Sequence, residues 1–552
     1  MSARIVKVRI DGQQEHLVPV GTPLMALLGR KDPEGRPILG AVLNNRLVSL
    51  STPIRGASRV SPVPEGHRDG TVIYRRSISI VLLQAVRDVA PDGRLVIGQS
   101  LGDGYFFEWV GPQPLTEDRV RAFEAKMRTI IAEDRPFVEE QVDIDEAIDL
   151  FAREGAVERV RLLKTLRVSS VPVVSVGDVH VIGHGPVAPA AGGLEGFELL
   201  LYNGGLILRF PGPSARGREV ADMPRLFKVY RDTRRWNEIL GVSDVGRFNE
   251  LCISGGVLEI VKVAEALHEK RVAEIADLVV ARKGVKLVTI AGPSSSGKTT
   301  FAKRLSVQLR VNGVHPVALS LDDYYIDREK TPRDSDGKPD FEAIEAIDLA
   351  LLNEHLDLLM KGERVETPKY DFATGKRAPK EKWHSLQISP GDVLLVEGIH
   401  GLNERLTSAV SASHKFRVYV SALTQLTVDN SERIFTSDSR LIRRIVRDRL
   451  FRGYRAERSI EMWPSVRRGE QMHIFPFQEQ ADAIFNSALV YEPAVLKTYA
   501  ERFLLEVPTD SPSFVEADRL LRFLSLFVPI FAEEVPHSSI LREFIGGSSF
   551  HY

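Results

Sequence analysis

Cysteine occurs once in the 552 residues, at Cys252. A lone thiol closes no intramolecular disulfide and builds no multi-thiolate metal cluster, which fits a reducing compartment. Net charge is nearly absent too: Lys and Arg total 73 against 74 Asp and Glu, leaving −1. No global field therefore draws the chain to nucleic acid or an anionic membrane, although local basic patches stay open. No apolar run has the roughly 20 residues that a bilayer span needs. The opening "MSARIVKVRIDG" alternates like a strand and lacks a basic start followed by an apolar stretch, so no signal peptide is expected. The expected location is the cytoplasm, with no membrane contact. Repeats at solenoid spacing and low-complexity tracts are also missing.

What is present is enough apolar material for several cores and a length that suggests three or four domains. Strand-like pieces and the short helix candidate "PLMALL" mark a small β-rich module over residues 1–64, with a turn at "DGQQ". Residues 65–213 mix strands and helices. In "EDRVRAFEAKMRTIIAED", Val120, Phe123, Met127, Ile130 and Ile131 share one helical face. "IDEAIDLFAREG" is a second helix, closed by Gly155. Residues 214–283 read as a helical connector that runs into a strand. Over 284–507 strands alternate with helices, the pattern of a parallel sheet with crossovers. A helical tail, led by "FVEADRLLRFLSLF", occupies 508–552. The fold class read from this is multidomain α/β and α+β.

The sharpest local signal is "GPSSSGKT", which fits G-x-x-x-x-G-K-[ST] from Gly292 to Thr299. Glycine at 292 and 297 lets consecutive N–H groups turn inward. Lys298 brings a charge to the β- and γ-phosphates, Thr299 offers a hydroxyl to Mg²⁺, and the following helix points its positive end at the anion. An apolar strand precedes the motif and a helix with Phe301, Leu305 and Leu309 on one face follows it, stopped at Asn312-Gly313. Gly292, Pro293, Ser294, Ser295, Ser296, Gly297, Lys298, Thr299 and Thr300 are the residues expected to bind a nucleoside triphosphate with Mg²⁺. The motif alone does not separate a kinase from a GTPase or a motor.

The next strand, "PVALSL", ends in Asp322 and Asp323, and "DVLLVEG" ends in Glu397. Ligands of doubly wound sheets sit beyond the carboxyl ends of strands. One of the two aspartates there can take a proton from an acceptor hydroxyl or hold water on Mg²⁺, and Glu397 suits a Mg²⁺-water ligand. Solvated strand-end carboxylates are the bland alternative for all three. In "SRLIRRIVRDRLFRGYRAER", Arg440, Arg443, Arg444, Arg447, Arg452, Arg455 and Arg458 crowd one helix and its turn, offset only by Asp448 and Glu457. Forked donors suit a transferring phosphoryl group, and a mobile arginine lid would exclude water. A solvated basic helix or an RNA patch is the alternative.

These pieces together, "GPSSSGKTT", "LSLDDYY", "DFEAIEAID", "PKYDF", "VLLVEGI", "RLIRRIVRD..FRG" and "ADAIFN", resemble the uridine kinase and phosphoribulokinase family in the family's order. The resemblance implies a P-loop kinase domain with Asp322 as general base and metal neighbour. It implies an acceptor pocket of Tyr325, Phe341, Glu342 and Tyr370, an acid after the Walker B strand at Glu397, and lid arginines at Arg443, Arg444, Arg447 and Arg452. With Lys298 these are the expected catalytic residues, and Thr299, Asp322 and Glu397 the expected metal ligands. One departure stands out: "YDFATGKR" puts Gly375 where uridine-cytidine kinases carry a pyrimidine-reading histidine, which disfavours uridine as acceptor.

Residues 1–64 resemble a TGS module, the ubiquitin-like β-grasp fold that opens threonyl-tRNA synthetases. "IGQSLGDGYFFEWV", "LTEDRVRAFEAKMRTII" and "HGPVAPAAGGLEGFELLLYNGG" resemble the synthetase's editing-type domain. That domain's two histidines fall here on Arg76 and Ile80, and its cysteine–histidine pair on Gly183 and Val187; none of these can act as base or ligand. His184, at the family's arginine position, reads as a polar surface residue. The fold is expected to persist without editing chemistry, leaving the domain to position a ligand, an RNA end or a partner, whether another protein or a second copy of the chain. The whole order, with the tail "SSILREFIGGSSF", is similar to bacterial proteins called nucleoside kinases or uridine kinase-like proteins.

Two functions compete. The first is an ATP-dependent kinase acting on a hydroxyl of a nucleoside or sugar-like molecule. The second is a tRNA- or RNA-binding protein with ATP as a regulatory ligand, against which the near-zero net charge weighs. An aminoacyl-ester hydrolase is disfavoured by the absent histidines.

Overall fold

The computed structural model describes residues 4–11, 15–210, 222–334, 337, 339–371 and 374–551. Most of the "DGQQ" turn, Phe372 of "PKYDF" and the expected boundary at 213/214 lie outside the described residues.

Strand β1 (Ile5–Ile10) alternates outward and inward side chains, so Val6, Val8 and Ile10 face one core. It pairs antiparallel with β2 (Glu15–Pro19), and helix α1 (Leu24–Leu28) buries Leu24 nearby. Strands β3 (Ile38–Leu43), β4 (Arg46–Val48) and β5 (Ser58–Pro64) complete a sheet of order β2-β1-β5-β3-β4, with β1 and β5 parallel. Asn44 and Asn45 both take positive φ between β3 and β4, which the tight hairpin demands.

Helix α2 (Arg68–Val89) follows, burying Ile73, Ile78, Val81, Leu82 and Ala85 at helical spacing. It lies against the hairpin β6 (Arg94–Leu101) and β7 (Gly104–Val110) and against α3 (Glu117–Ala132). Thr116 caps α3 by accepting from the Arg119 N–H; Val120, Phe123, Met127 and Ile130 are buried and Ile131 is half-buried. Strand β8 (Val138–Asp143), helices α4 (Ile144–Arg153) and α5 (Val157–Thr165), and strands β9 (Ser170–Val176), β10 (Val179–Ile182), β11 (Glu198–Tyr202) and β12 (Gly205–Arg209) finish this region. They form antiparallel sheets of order β10-β9-β8 and β11-β12-β7-β6.

Three helices connect to the C-terminal half: α6 (Pro224–Leu240), α7 (Val245–Ile253) and the 25-residue α8 (Val257–Ala281). The second half is built on β13 (Leu287–Ala291), whose five residues are all buried, and α9 (Lys298–Val311), stopped by Gly313 at φ +77°. Then come β14 (Pro316–Ser320), α10 (Leu349–Met360) and the short strands β15 (Val365–Thr367), β16 (Tyr370–Asp371), β17 (Lys376–Arg377) and β18 (His384–Leu386). β19 (Val393–Glu397), β20 (Lys415–Ser421), α11 (Thr436–Phe451), α12 (Ala456–His473), β21 (Ala483–Asn486) and α13 (Glu492–Leu505) complete it. The central sheet, order β14-β19-β13-β20-β21, is parallel throughout. Chain order reverses across β13, so the loop after β13 opens at the crevice where such sheets take ligands.

The tail is not peripheral. α14 (Phe514–Ser525) and α15 (Arg542–Ile545), with Leu541 just before α15, bury Leu520, Leu524, Leu541 and Phe544 in one apolar core with α8, β13, α9 and α11. Among the described residues no helix is long and apolar enough to cross a membrane.

Candidate active site

The loop from Gly292 to Gly297 is shaped by what cannot fit. A Cβ on Gly292 would lie 2.0 Å from the Val420 carbonyl oxygen. Gly297 has φ +85°, and Ser295, at φ +58°, is in the left-handed region that serine seldom visits. The Ser295 and Ser296 hydroxyls are buried without a hydrogen-bond partner. Lys298 curls over the loop, its Nζ donating to the Pro293 carbonyl at 3.1 Å. Strained backbone, idle donors and a lysine at a helix N-terminus fit a nucleotide's phosphates.

The arginines divide into two groups, and the expected mobile lid is corrected for one of them. Arg440 and Arg443 are fully buried and fixed. Arg440 pairs with Glu470 of α12 and donates to the Ser294 carbonyl at 3.0 Å. Arg443 pairs with Glu492 at 2.5 Å and donates to the Ser295 carbonyl at 3.3 Å. They brace the outer side of the loop. Their acids come from α12 and α13, so a count of acids within the basic segment itself missed them. Arg444 is also mostly buried and donates to Ser294 Oγ at 3.1 Å. Arg447 and Arg452 share Asp448, at 3.4 and 3.5 Å, and both lie near enough to Asp322 to favour its charged form.

The two strand-end aspartates part company. Asp323 accepts from the Tyr370 N–H at 3.2 Å and so holds β16 in place. Asp322 keeps a solvent-exposed face inside a densely walled cleft. Burial by that wall raises its carboxyl, while Lys298, Arg452 and Arg447 pull the other way. Glu397 ends β19 beside it and accepts from Thr299 Oγ1 at 3.3 Å. Burial first, and Asp322 second, push Glu397 up to about 7. A hydroxyl and two crowded carboxylates are hard oxygen donors suited to Mg²⁺, which typically takes one or two carboxylates and completes its shell with phosphate oxygens and water. Among the described residues no group of three or more His, Cys, Asp or Glu forms a self-sufficient metal cage.

Across the cleft the Tyr325 and Tyr370 rings stand 5.7 Å apart, and Tyr325 Oη donates to the Phe341 carbonyl at 3.0 Å. Glu342 is near enough for its charge to act on Tyr325. Burial, then Glu470, raise its carboxyl to about 7 against the pull of Arg444 and Lys298. Gly469 of α12 leaves the room, since a Cβ there would lie 2.3 Å from Glu342 Cβ. Gly375, at φ +70°, ends the turn before β17, and a Cβ on it would meet the Arg328 guanidinium at 2.6 Å.

Two functional candidates escaped the sequence. His400, three residues past Glu397, is buried, and burial drops it to about 4. Its place beyond the carboxyl end of an apolar strand was the available signal. Glu543 of α15 accepts from the Thr300 N–H at 3.2 Å and from its hydroxyl at 2.6 Å, so a carboxylate of the tail sits on the N-terminus of α9. No local pattern announces that contact.

In the N-terminal half, Arg76 pairs with Glu432 at 3.4 Å, and Ile80 and Val187 are buried. His184 is corrected from a surface residue: its side chain is covered and meets Asp429 at 3.4 Å, across the seam between the halves. Burial alone would raise the Asp429 carboxyl, but His184 and Arg159 hold it well below the usual carboxylate range.

The model of the Phosphoribulokinase / Uridine kinase family matches residues 287–491, from β13 to the start of α13. The C-terminal half carries a domain of this family. The kinase-family domain therefore holds the loop, both strand-end acids and the arginine helix together. The N-terminal half is similar to threonine–tRNA ligases. That of Desulforamulus reducens is 27% identical over 216 residues, 37% of this chain and 34% of that protein. That of Aquifex aeolicus is 29% identical over 232 residues, 41% and 34%. The chain thus spans about a third of the length of these curated relatives. Among solved structures, D-glycerate 3-kinase from Cryptococcus neoformans var. grubii overlaps 46% of this chain and 87% of its own, at 15% identity and a TM-score of 0.22.

Proposed function

We propose that the chain is an ATP-dependent, cytoplasmic kinase that transfers the γ-phosphoryl group to a hydroxyl of a nucleoside or sugar-like alcohol, within the domain division read from the sequence. The observation that carries this reading is the convergence of Lys298, Thr299, Asp322, Glu397, Arg447 and Arg452 at one end of a parallel sheet. Mg²⁺, when bound, would neutralise charge on the phosphates, with Thr299, Glu397 and Asp322 as the residues to hold it. Lys298, Arg447 and Arg452 face charge that develops during transfer. Asp322 accepts the acceptor's proton, while Tyr325, Tyr370, Phe341 and Glu342 orient the alcohol.

Lys298→Ala is the test. A folded variant is expected to lose transfer, and normal turnover in it would end the reading. Acceptor choice is tested separately. The left-handed turn at Gly375 and the Arg328 head against it leave no room there for a base-reading side chain. Uridine and cytidine should be poor acceptors beside polyols and other nucleosides, and a dominant specificity constant for uridine would refute this. The likeness to threonine–tRNA ligases supports an RNA contact as well, which a tRNA titration in moderate salt checks.

A further inference from the structure

Between the two halves lies a cavity of about 860 Å³. Its lining draws on α2, β6, β7 and the segment before α11, and includes no residue of the phosphate loop, neither Asp322 nor Glu397. It is therefore a second site. It occupies the place where the editing-type histidines and cysteine would stand, because Arg76, Ile80, Gly183 and Val187 all line it.

The lining holds nine arginines against five acids. Three of the arginines pair within the lining, Arg76 with Glu432, Arg519 with Asp438 and Glu516, and Arg522 with Asp518, and three pair with acids outside it, Arg440 and Arg467 with Glu470 and Arg468 with Asp334. Arg68, Arg75 and Arg433 remain, and of these Arg75 and Arg433 stand around one ring. Among the described residues neither has a carboxylate within 4.0 Å. Both guanidinium groups lie over the same ring, Tyr105, at 5.7 and 5.5 Å. Arg75 also covers Phe210, and Arg433 covers Phe435. Arg433 is 5% exposed and spends one donor on Ser100 Oγ at 2.9 Å, while its Nε, like that of Arg75, is buried with no partner. Burial lowers the Arg433 guanidinium below its ordinary value. Two like charges around one ring, with idle buried donors, are expensive unless an anion meets them. Nearby, Gln425 donates to Gln99 Oε1 at 3.1 Å, which leaves the buried Gln425 Oε1 without a partner and open to a donor.

We propose that this cavity binds a nucleotide-sized organic anion, its phosphate or carboxylate held by Arg75 and Arg433 and a hydrogen-bond donor held by Gln425. Aromatic rings around the arginines exclude water and strengthen the charge-assisted bonds. The volume is in the range of small-molecule sites.

The experiment titrates the full chain by calorimetry and thermal shift with two arms of probe. One arm is inorganic phosphate, pyrophosphate, AMP and UMP; the other is citrate. Each is repeated in Lys298→Ala, Arg75→Gln and Arg433→Gln. The expected result is binding of at least one probe at one per chain in wild type and equally in Lys298→Ala, weakened at least tenfold in each arginine variant. The arm that binds assigns phosphate or carboxylate. The proposal is overturned if no probe binds, or if binding disappears in Lys298→Ala and survives in the arginine variants. Arg75 is only half-buried, so Arg75→Gln carries the test if Arg433→Gln fails to fold.

Discussion

Asp322 and Asp323 stand one peptide apart, yet of the two only Asp323 is tied to a backbone N–H, that of Tyr370, while Asp322 feels Lys298, Arg452 and Arg447. That division sets a pair of opposite outcomes. Asp322→Asn should keep nucleotide affinity within a few-fold and lose turnover by on the order of a hundredfold or more. Asp323→Asn should instead lower stability by about 1 kcal/mol, the net worth of one hydrogen bond, read as a shifted denaturation midpoint. If Asp323→Asn abolishes turnover and Asp322→Asn does not, the roles are exchanged. The pair itself was legible because an apolar strand ended in two acids near a phosphate loop. Which acid turned inward was not, because a short 3₁₀ turn over Leu321–Tyr324 decides it and leaves no periodic trace.

Helix α11 shows the same limit at the next scale. Its arginines were visible as a charge run, and a charge run normally means a solvated face. The structure buries Arg440 and Arg443 instead, against acids 30 and 49 residues away in sequence. Breaking one such pair strands a buried charge. Glu492→Gln should therefore destabilise the protein by about 3–5 kcal/mol, and the double variant Arg443→Met with Glu492→Met by clearly less. Equal losses in chemical denaturation would show that Glu492 is not the partner that matters. The tail element argues alike. Glu543→Gln removes a carboxylate from the N-terminus of α9, where phosphates are expected, and should tighten ATP binding several-fold. Unchanged or weaker binding by calorimetry would mean that the tail supports the loop and does not compete for it.

For the whole molecule, the order of elements could be read from hydrophobic periodicity, and "GPSSSGKT" could be placed between a strand and a helix because each has its own period. The joining of the halves could not. His184 meets Asp429 at a separation of 245 residues, and nothing local in either segment signals the other. The common core of connector, kinase-family domain and tail also hides His268, buried on α8 with Nε2 facing the Ala488 carbonyl at 3.2 Å. Burial first, then Arg304, lower its pKa to about 3. In the unfolded chain this imidazole takes up a proton near pH 6.5, while the folded form stays neutral down to about 3. At this residue the unfolded state thus binds more protons in that window, and its contribution to stability falls as pH falls through it, by up to about 1.4 kcal/mol per pH unit, against the opposite slope from the raised carboxyls of Glu342 and Glu397. His268→Met should take this contribution out of the dependence of the denaturation midpoint between pH 6.5 and 4. An unchanged slope would place the proton uptake elsewhere.

The carboxylate resting on Thr300 has a consequence for time as well as for affinity. A nucleotide that reaches the loop finds two of its donors engaged by a residue 243 positions away. Arrival and seating are then separate events. At low ATP the observed association rate should climb with concentration, and at high ATP it should level off at the rate at which α15 lets go. In Glu543→Gln the same stopped-flow trace should keep rising in a straight line.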